Sequence, residues 1–454
     1  MAHRFHPSLL REYDMRGVYG DTLTEADAHA VGRSFGTIVR RSGGSRVAVG
    51  YDGRLSSPDL ESALVRGLTR SGVNVLRIGV GPTPMLYYAE AVLDVDGAIQ
   101  VTGSHNPAQH NGFKLVKARQ PFFGRDITHL SQIAAAADFE DGVGGIDTFD
   151  IMDRYVGRLL EGFDGGAWRI GWDAGNGAAG PVIDKLVQLL PGEHHTLFTQ
   201  IDGNFPHHHP DPTIEKNLQN LRQLVLSKKL HFGVAFDGDG DRIGLIDGKG
   251  RIIWGDQLLG LFAQFVLKRW PGATIVADVK SSQALFDRIA ALGGRPLMWE
   301  TGHSLIKTKM KEVGSPLGGE MTGHIMFADE YYGFDDGLYA AIRLIRAATE
   351  SGETITDICD RMPVLLNTPE LRFASDESGK FAIVEDILAR LRSDGANVDD
   401  TDGVRVTTDD GWWLLRASNT QAELVARLEA QDEAGLERLR AALNHQLLKS
   451  GVQG

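Results

Sequence analysis

Three times along the chain an apolar run ends in an aspartate, breaks at small residues and resumes as an amphipathic helix. "RVAVGYDGRLSSPDLESALVRGLTRSG" puts Asp52 at the break, "WRIGWDAGNGAAGPVIDKLVQLL" puts Asp173 there, and "ATIVADVKSSQALFDRIAALGG" puts Asp278. A strand that is apolar throughout must be covered on both faces, which is what helices beside a mostly parallel sheet provide. Further strand-like and helical stretches follow each unit, and the units recur about a hundred residues apart, the size of a domain. A chain of 454 residues is also too long for one core. The last ninety or so residues break the pattern. There, short strands such as "VRVTTDDGWWLLRAS" and "ELVARLEA" precede one helix, "EAGLERLRAALNHQLL", as in an antiparallel α+β domain.

Composition loosens at "DFEDGVGGIDTFD", at "DGKGRIIWGDQ" and at "RMPVLLNTPE". The expected architecture is α/β: three serial α/β domains with mixed, mostly parallel sheets over 1–149, 150–252 and 253–364, then an α+β domain over 365–454.

The formal charge of −13 argues against nucleic acid or an anionic membrane surface as a partner. If the ligand is an anion, its site must be a local basic patch on an acidic whole. The single cysteine, Cys359, excludes a disulfide framework and a thiolate metal cluster. The opening "MAHRFHPSLLREYD" lacks the apolar core of a signal peptide, and no apolar run reaches membrane-spanning length. A cytoplasmic location is expected.

Four stretches carry chemistry. In "QVTGSHNPAQHNGFKLVK" one hydroxyl, Ser104, sits in a tight turn straight after an apolar strand. Glycine, asparagine and proline form ordinary turns too, so the local reading is either a plain turn or a displayed nucleophile. In "FGVAFDGDGDRIGLIDGKG", Asp237, Asp239 and Asp241 alternate with glycines at a strand end. Three carboxylates so close repel one another, and a hard divalent cation relieves this. An EF-hand loop needs glycine and glutamate where Arg242 and Gly248 stand, so that reading fails. Few carboxylates and an open coordination sphere suit Mg²⁺ bridging to a phosphate.

In "GGEMTGH", Glu320, Thr322 and His324 present an acceptor, a hydroxyl and an imidazole suited to sugar hydroxyls. In "LLRASNTQAELVARLEA", Arg416, Ser418, Asn419 and Thr420 would cradle a phosphate, although a hairpin turn fits the same residues. Further basic groups are scattered at Arg16, Lys114, Lys280 and His303. The run His207-His208-His209 reads as a proline-flanked loop rather than a zinc site, since adjacent histidines do not easily share one ion.

Together these stretches resemble the α-D-phosphohexomutase family, in particular its bacterial phosphomannomutase/phosphoglucomutase branch. "TGSHNP" is similar to the family's phosphoserine loop, "DGDGDR" to its magnesium loop, "GEMTGH" to its sugar-specificity loop and "RASNT" to its phosphate-binding loop. They come in the family's order, and "YDMRG", "TGHSLIK" and "YYGFDDG" match secondary signatures.

The resemblance implies four domains around a central cleft and a phosphoserine at Ser104. It also implies a hexose 1,6-bisphosphate intermediate and glucose 1,6-bisphosphate as activator. Mg²⁺ would be held by Ser104, Asp237, Asp239 and Asp241. Arg16 and Arg242 would offset charge, and Lys114 and His303 are the candidates for general acid and base. Tyr13, His105, Lys280, Glu320, Thr322, His324, Arg416, Ser418, Asn419 and Thr420 would bind the phosphosugar. A monomer or weak dimer is expected.

One departure is Thr322, where the branch usually has serine; the hydroxyl is kept and a methyl added. Phosphoglucosamine mutase, the nearest alternative, typically has glutamine where Met321 stands. A haloacid-dehalogenase-type enzyme wants threonine or valine after its Asp-x-Asp, where this chain has Arg242. A serine hydrolase wants a G-x-S-x-G elbow, which Gly103-Ser104-His105 does not supply. A non-catalytic phosphosugar-binding protein would need neither Ser104 nor the aspartate triplet.

Overall fold

Four sheets follow one another along the chain in a computed structural model that describes residues 1–363, 365–376, 379–418 and 422–452. The first sheet has seven strands, with Arg46–Tyr51 between Gly97–Val101 and Asn74–Val80, all three parallel. The second centres on Trp168–Asp173, parallel to Phe232–Phe236 and to Gly192–Leu197. The third centres on Thr274–Asp278, parallel to Arg295–Trp299 and to Leu317–Gly319. In the fourth all described pairings are antiparallel, and helices Lys380–Ser393 and Glu433–Lys449 share a core with the sheet.

The parallel centres read as apolar runs because they are buried on both faces, as Phe232–Phe236 is at every position. Each of the first three sheets also carries an antiparallel hairpin. Gly97–Val101 turns back as His110–Lys117, Phe232–Phe236 as Ile243–Asp247, and Leu317–Gly319 as Ile325–Phe327. Gly411–Ala417 and Glu423–Ala430 do the same in the fourth. The first three motif stretches are the connections of the first three hairpins, so strand register fixes where each one stands; the fourth motif begins at the end of Gly411–Ala417.

One expected linker is partly a strand. Within 138–150, Ile146–Thr148 pairs parallel with Asn74–Val80 at the sheet edge. All three of its side chains are exposed, so backbone hydrogen bonds hold it without any apolar pattern.

The apolar interior crosses sheet boundaries. Trp172, Phe232, Phe262, Ile275 and Phe327 belong to one core that also takes in Met85 and Leu86 of helix Thr83–Val92 from the first layer. The fourth sheet meets the third through Val279, Trp412 and Leu414 and through a buried arginine. Arg405 Nη1 donates to Val279 O at 2.6 Å and Ser281 O at 2.9 Å, with its guanidinium 3.8 Å from the Trp412 ring centroid. Among the described residues no helix is long and apolar enough to cross a membrane.

Candidate active site

The hairpin connections face a common cleft of about 440 Å³. Its walls carry Arg11, Arg16, Lys114, Arg242, Lys280, Arg372 and Arg416 against Asp14, Asp211, Glu320 and Glu370. A surplus of cations thus collects in one place on a chain of net charge −13, as an anionic ligand requires.

Ser104 is buried, and its φ of 48° is left-handed, a region side chains seldom adopt. The strand-end aspartate enforces this. Asp52 Oδ2 accepts from Thr102 Oγ1 at 2.8 Å and Gly103 N at 3.2 Å, and Ser104 N donates back to Thr102 Oγ1 at 2.8 Å. Buried Arg54 then donates to the carbonyls of Ser104, Asn106 and Pro107 at 2.6 Å each and of His110 at 2.9 Å. A turn so over-determined holds its strain, and the result is one displayed hydroxyl. Ser104 Oγ donates to Asp237 Oδ2 at 2.9 Å and lies 3.2 Å from His105 Nδ1. The first motif therefore meets the second across 133 residues of sequence.

Asp237, Asp239 and Asp241 are all fully buried, with oxygens within 4.8 Å of one another. Burial, and after it Asp239 and Asp241, pushes Asp237 well above the usual carboxylate range. Burial opposes ionisation of Asp239 as well, but the charge of Lys114 overrides it and holds Asp239 low. Lys114 Nζ donates to Asp239 Oδ2 at 2.7 Å and to Asp241 Oδ2, and Thr83 Oγ1 donates to Asp239 Oδ2 at 2.5 Å. Held by two carboxylates, Lys114 is kept protonated despite its burial. In this arrangement it is a cation paired with the aspartate loop.

Asp239 Oδ1 and Asp241 Oδ1 remain buried with no hydrogen-bond partner among the described residues. Orphaned carboxylate oxygens grouped with Asp237, which Ser104 contacts, fit a hard divalent cation.

The third connection stands beside the second, bridged through Arg242 and His324 and by Ile243 N to Gly323 O at 3.1 Å. Glu320 Oε1 accepts from Gly302 N at 2.7 Å, and burial followed by the Asp278 charge pushes this carboxyl up to about 7. Thr322 lines the cleft. His303 and His324 stack with ring centroids 5.1 Å apart. Burial and then Lys307 pull His303 down to about 4, while burial and then Arg242 pull His324 down to about 3. Both imidazoles are therefore neutral at physiological pH, and His105 is lowered by burial too.

From the fourth sheet, Arg416 Nε donates to Asp402 Oδ2 at 2.9 Å, while its buried Nη2 has no partner among the described residues. Ser418 lines the cleft beside it, whereas Asn419 and Thr420 lie outside the described residues. Lys280 Nζ donates to Glu370 Oε1 at 2.9 Å, Tyr13 OH to Thr301 O at 2.6 Å, and Arg16 Nη1 to Asn106 Oδ1 at 3.2 Å. Every described candidate from the sequence thus falls on this cleft or on the buried Ser104–aspartate cluster, which touches it through His105, Lys114 and Arg242.

Asp52, Arg54 and Asp335 were missed as parts of the site. Asp52 was visible as a strand end, and Asp335 lies in "YYGFDDG". The histidine run is used locally: His207 Nδ1 lies 2.7 Å from Asn176 Oδ1, and His208 Nε2 lies 3.0 Å from Asp173 Oδ2.

Comparison with known proteins gives this architecture its family. Phosphoglucomutase/phosphomannomutase alpha/beta/alpha domains I, II and III match residues 7–141, 154–250 and 254–365, and the C-terminal domain of that family matches 370–446. A phosphomannomutase/phosphoglucomutase of Pseudomonas aeruginosa is 42% identical, covering 97% of this chain and 95% of its own. A phosphoglucomutase of Neisseria gonorrhoeae is 41% identical over 95% of each. The crystal structure of a phosphoglucomutase/phosphomannomutase family protein from Burkholderia thailandensis superposes with a TM-score of 0.93 at 42% identity, covering 98% of both chains. With all four domain families matched in order along one chain, the protein belongs to the phosphoglucomutase/phosphomannomutase family of phosphohexomutases, enzymes of the isomerase class.

Proposed function

We propose that the enzyme interconverts the 1- and 6-phosphates of glucose and mannose through a phosphoserine at Ser104 and a hexose 1,6-bisphosphate. The observation that carries this reading is the 2.9 Å contact from Ser104 Oγ to Asp237 Oδ2, next to His105 and Arg242, which line a cationic cleft. In the first half-reaction the substrate's free hydroxyl oxygen bonds to phosphorus as the Ser104 Oγ–phosphorus bond breaks. His303, held neutral, takes the hydroxyl proton. The bisphosphate then turns end for end, its other phosphoryl group returns to Ser104 Oγ, and the proton returns to the sugar oxygen.

Asp237, Asp239 and Asp241 with the Ser104 oxygen would hold Mg²⁺, which when bound supplies Lewis acidity at the phosphoryl oxygen. Arg16, Arg242 and Lys114 offset charge, which is most of what phosphoryl transfer needs from a protein. Arg416, Ser418 and Lys280, with Asn419 and Thr420, grip whichever phosphate is not reacting, so one site can serve both ends. Glucose 1,6-bisphosphate would act as activator by supplying the phosphoryl group to unmodified Ser104. The four domains would divide at 149, 252 and 364, and the enzyme would work in the cytoplasm as a monomer or weak dimer.

Glu320 and Thr322 would read the sugar's O3 and O4. Met321 does not line the cleft; its thioether lies against Arg427 at the contact with the fourth sheet. That supports glucose and mannose over glucosamine as the sugar, since nothing from Met321 addresses C2. Mass spectrometry of the purified protein tests the reading together with a coupled assay. A phosphate adduct on Ser104, and loss of nearly all activity in a folded Ser104→Ala variant, are expected. Wild-type rates in that variant sink it.

A further inference from the structure

The turn 335–337 lies outside the four motif loops yet touches two of them. Gly337 N donates to Gly240 O in the aspartate loop at 3.2 Å, and Asp336 N donates to Ile325 O beside the sugar loop at 3.3 Å. A Cβ on Gly337 would stand 2.7 Å from Arg242 O, so the turn presses against that loop's backbone. Asp336 is occupied as a helix cap, accepting from Tyr339 N and from the hydroxyls of Tyr155 and Tyr331. Asp335 faces the site instead. It is fully buried, with Oδ1 accepting from Lys307 Nζ at 2.7 Å and Oδ2 lying 2.9 Å from His324 Nδ1 and 3.1 Å from His303 Nδ1.

The donors and acceptors around His324 leave one assignment. A guanidinium can only donate, and Arg242 Nε donates to His324 Nε2 at 2.9 Å. His324 Nε2 must then be bare, so the proton of the neutral ring sits on Nδ1. That N–H faces Asp335 Oδ2, and a carboxylate held ionised by Lys307 can only accept. Arg242 in turn belongs to the reacting end of the cleft: its backbone N donates to Asp237 Oδ1 at 3.2 Å, and the residue lines the cleft.

We propose that Asp335 is a positioning residue for phosphoryl transfer. It fixes the tautomer and ring orientation of His324, and through His324 it sets where the Arg242 guanidinium stands in the cleft. The inference rests on the phosphoserine reading above for the use it gives Arg242. At these distances neither histidine Nδ1 nor Asp335 Oδ2 makes a well-directed hydrogen bond. Contacts of that kind tighten when a substrate fills the site. Asp335→Asn keeps the shape but can turn an N–H toward His324 Nδ1. The ring then carries its proton on Nε2, against the Arg242 donor.

Ring-¹⁵N histidine NMR of the wild type should show His324 protonated at Nδ1 and bare at Nε2; the opposite tautomer overturns the proposal whether or not any variant folds. In Asp335→Asn, kcat should fall about a hundredfold, the size of losing one preorganised donor, with KM changed less than about threefold. On an Arg242→Ala background the same substitution should cost less than about threefold more, because both act through one guanidinium. A full hundredfold loss on that background means that Asp335 acts elsewhere and refutes the positioning role. Ser104→Ala is assayed alongside. If it stays active the phosphoserine reading falls, while the His324 tautomer still decides the role of Asp335.

Discussion

Replacing Gly238 by alanine tests whether the serine and aspartate loops must touch. A Cβ built there stands 2.4 Å from Ser104 O, where ordinary contact begins near 3.4 Å, so the loops must part by about 1 Å. Ser104 O cannot yield easily, because Arg54 Nη2 holds it at 2.6 Å inside a turn braced by Asp52. The backbone at Gly238 is not left-handed, so the substitution acts by bulk alone. Overpacking of this kind costs about 1–3 kcal/mol of stability. The larger effect falls on the reaction, since parting the loops breaks the 2.9 Å Ser104–Asp237 contact. A misplacement of about 1 Å in a reacting pair costs about a hundredfold in rate.

A coupled assay of glucose 1-phosphate conversion should therefore show kcat down by about that factor, while the melting temperature falls only a few degrees. Gly157→Ala is the control, an exposed helical position with nothing within 4 Å of its added carbon. It should stabilise by about 0.5–1 kcal/mol and leave kcat alone. A folded Gly238→Ala enzyme with kcat within roughly twofold of wild type would refute the contact as a requirement of the reaction.

Four other outcomes follow from the same geometry. Asp239→Asn should weaken Mg²⁺ binding, and chelation should abolish wild-type activity until Mg²⁺ is restored; indifference to chelator rules the site out. Arg416→Ala should raise KM for sugar phosphate by about tenfold or more, because a buried guanidinium nitrogen with no partner among the described residues is lost; an unchanged KM refutes the phosphate grip. Glu320 is pushed up to about 7 from an ordinary 4.5, so between those values the folded protein binds a proton that the unfolded chain has lost, and stability falls as pH rises across that window. Glu320→Gln should flatten that slope in melting temperature against pH, and a slope unchanged by the substitution contradicts the assignment. Glucose and mannose 1-phosphates should have kcat/KM within about tenfold of each other, with glucosamine 1-phosphate poorer, and a thousandfold hexose preference would mean that C2 is read after all.

The chain's local signals made the loops legible. Ser104 and the aspartate triplet stand out because glycine, asparagine and acidic residues are crowded at strand ends, a pattern only a tight turn can hold. What stayed hidden depends on partners far apart in sequence. Tyr13 bonds the Thr301 carbonyl 288 residues away, and Lys114 meets Asp239 125 residues away. Spacing cannot show that Lys114 is pinned as a cation. Asp335 was hidden for a similar reason, since its neighbours in sequence serve a helix cap while its own partners come from the helix His303–Val313 and from the sugar loop.

The repeated strand-end aspartate has a further use that its spacing did not suggest. Asp52 ties down the connection of the adjacent hairpin, at Thr102 and Gly103. Asp278 does the equivalent in the third sheet, accepting from Met321 N at 3.1 Å within the sugar loop. Asp173 departs from this: it accepts from Gly175 N at 2.9 Å and pairs with His208, and it leaves the aspartate loop to other supports. The difference suits the chemistry. A serine that must present one oxygen and a loop that must present fixed polar groups gain from a rigid carboxylate beneath them. A loop of three mutually repelling carboxylates needs its cations instead, and Lys114 and Arg242 supply them. The same strand-turn-helix unit thus gives rigid loops where geometry limits the reaction and a charge-balanced loop where electrostatics does.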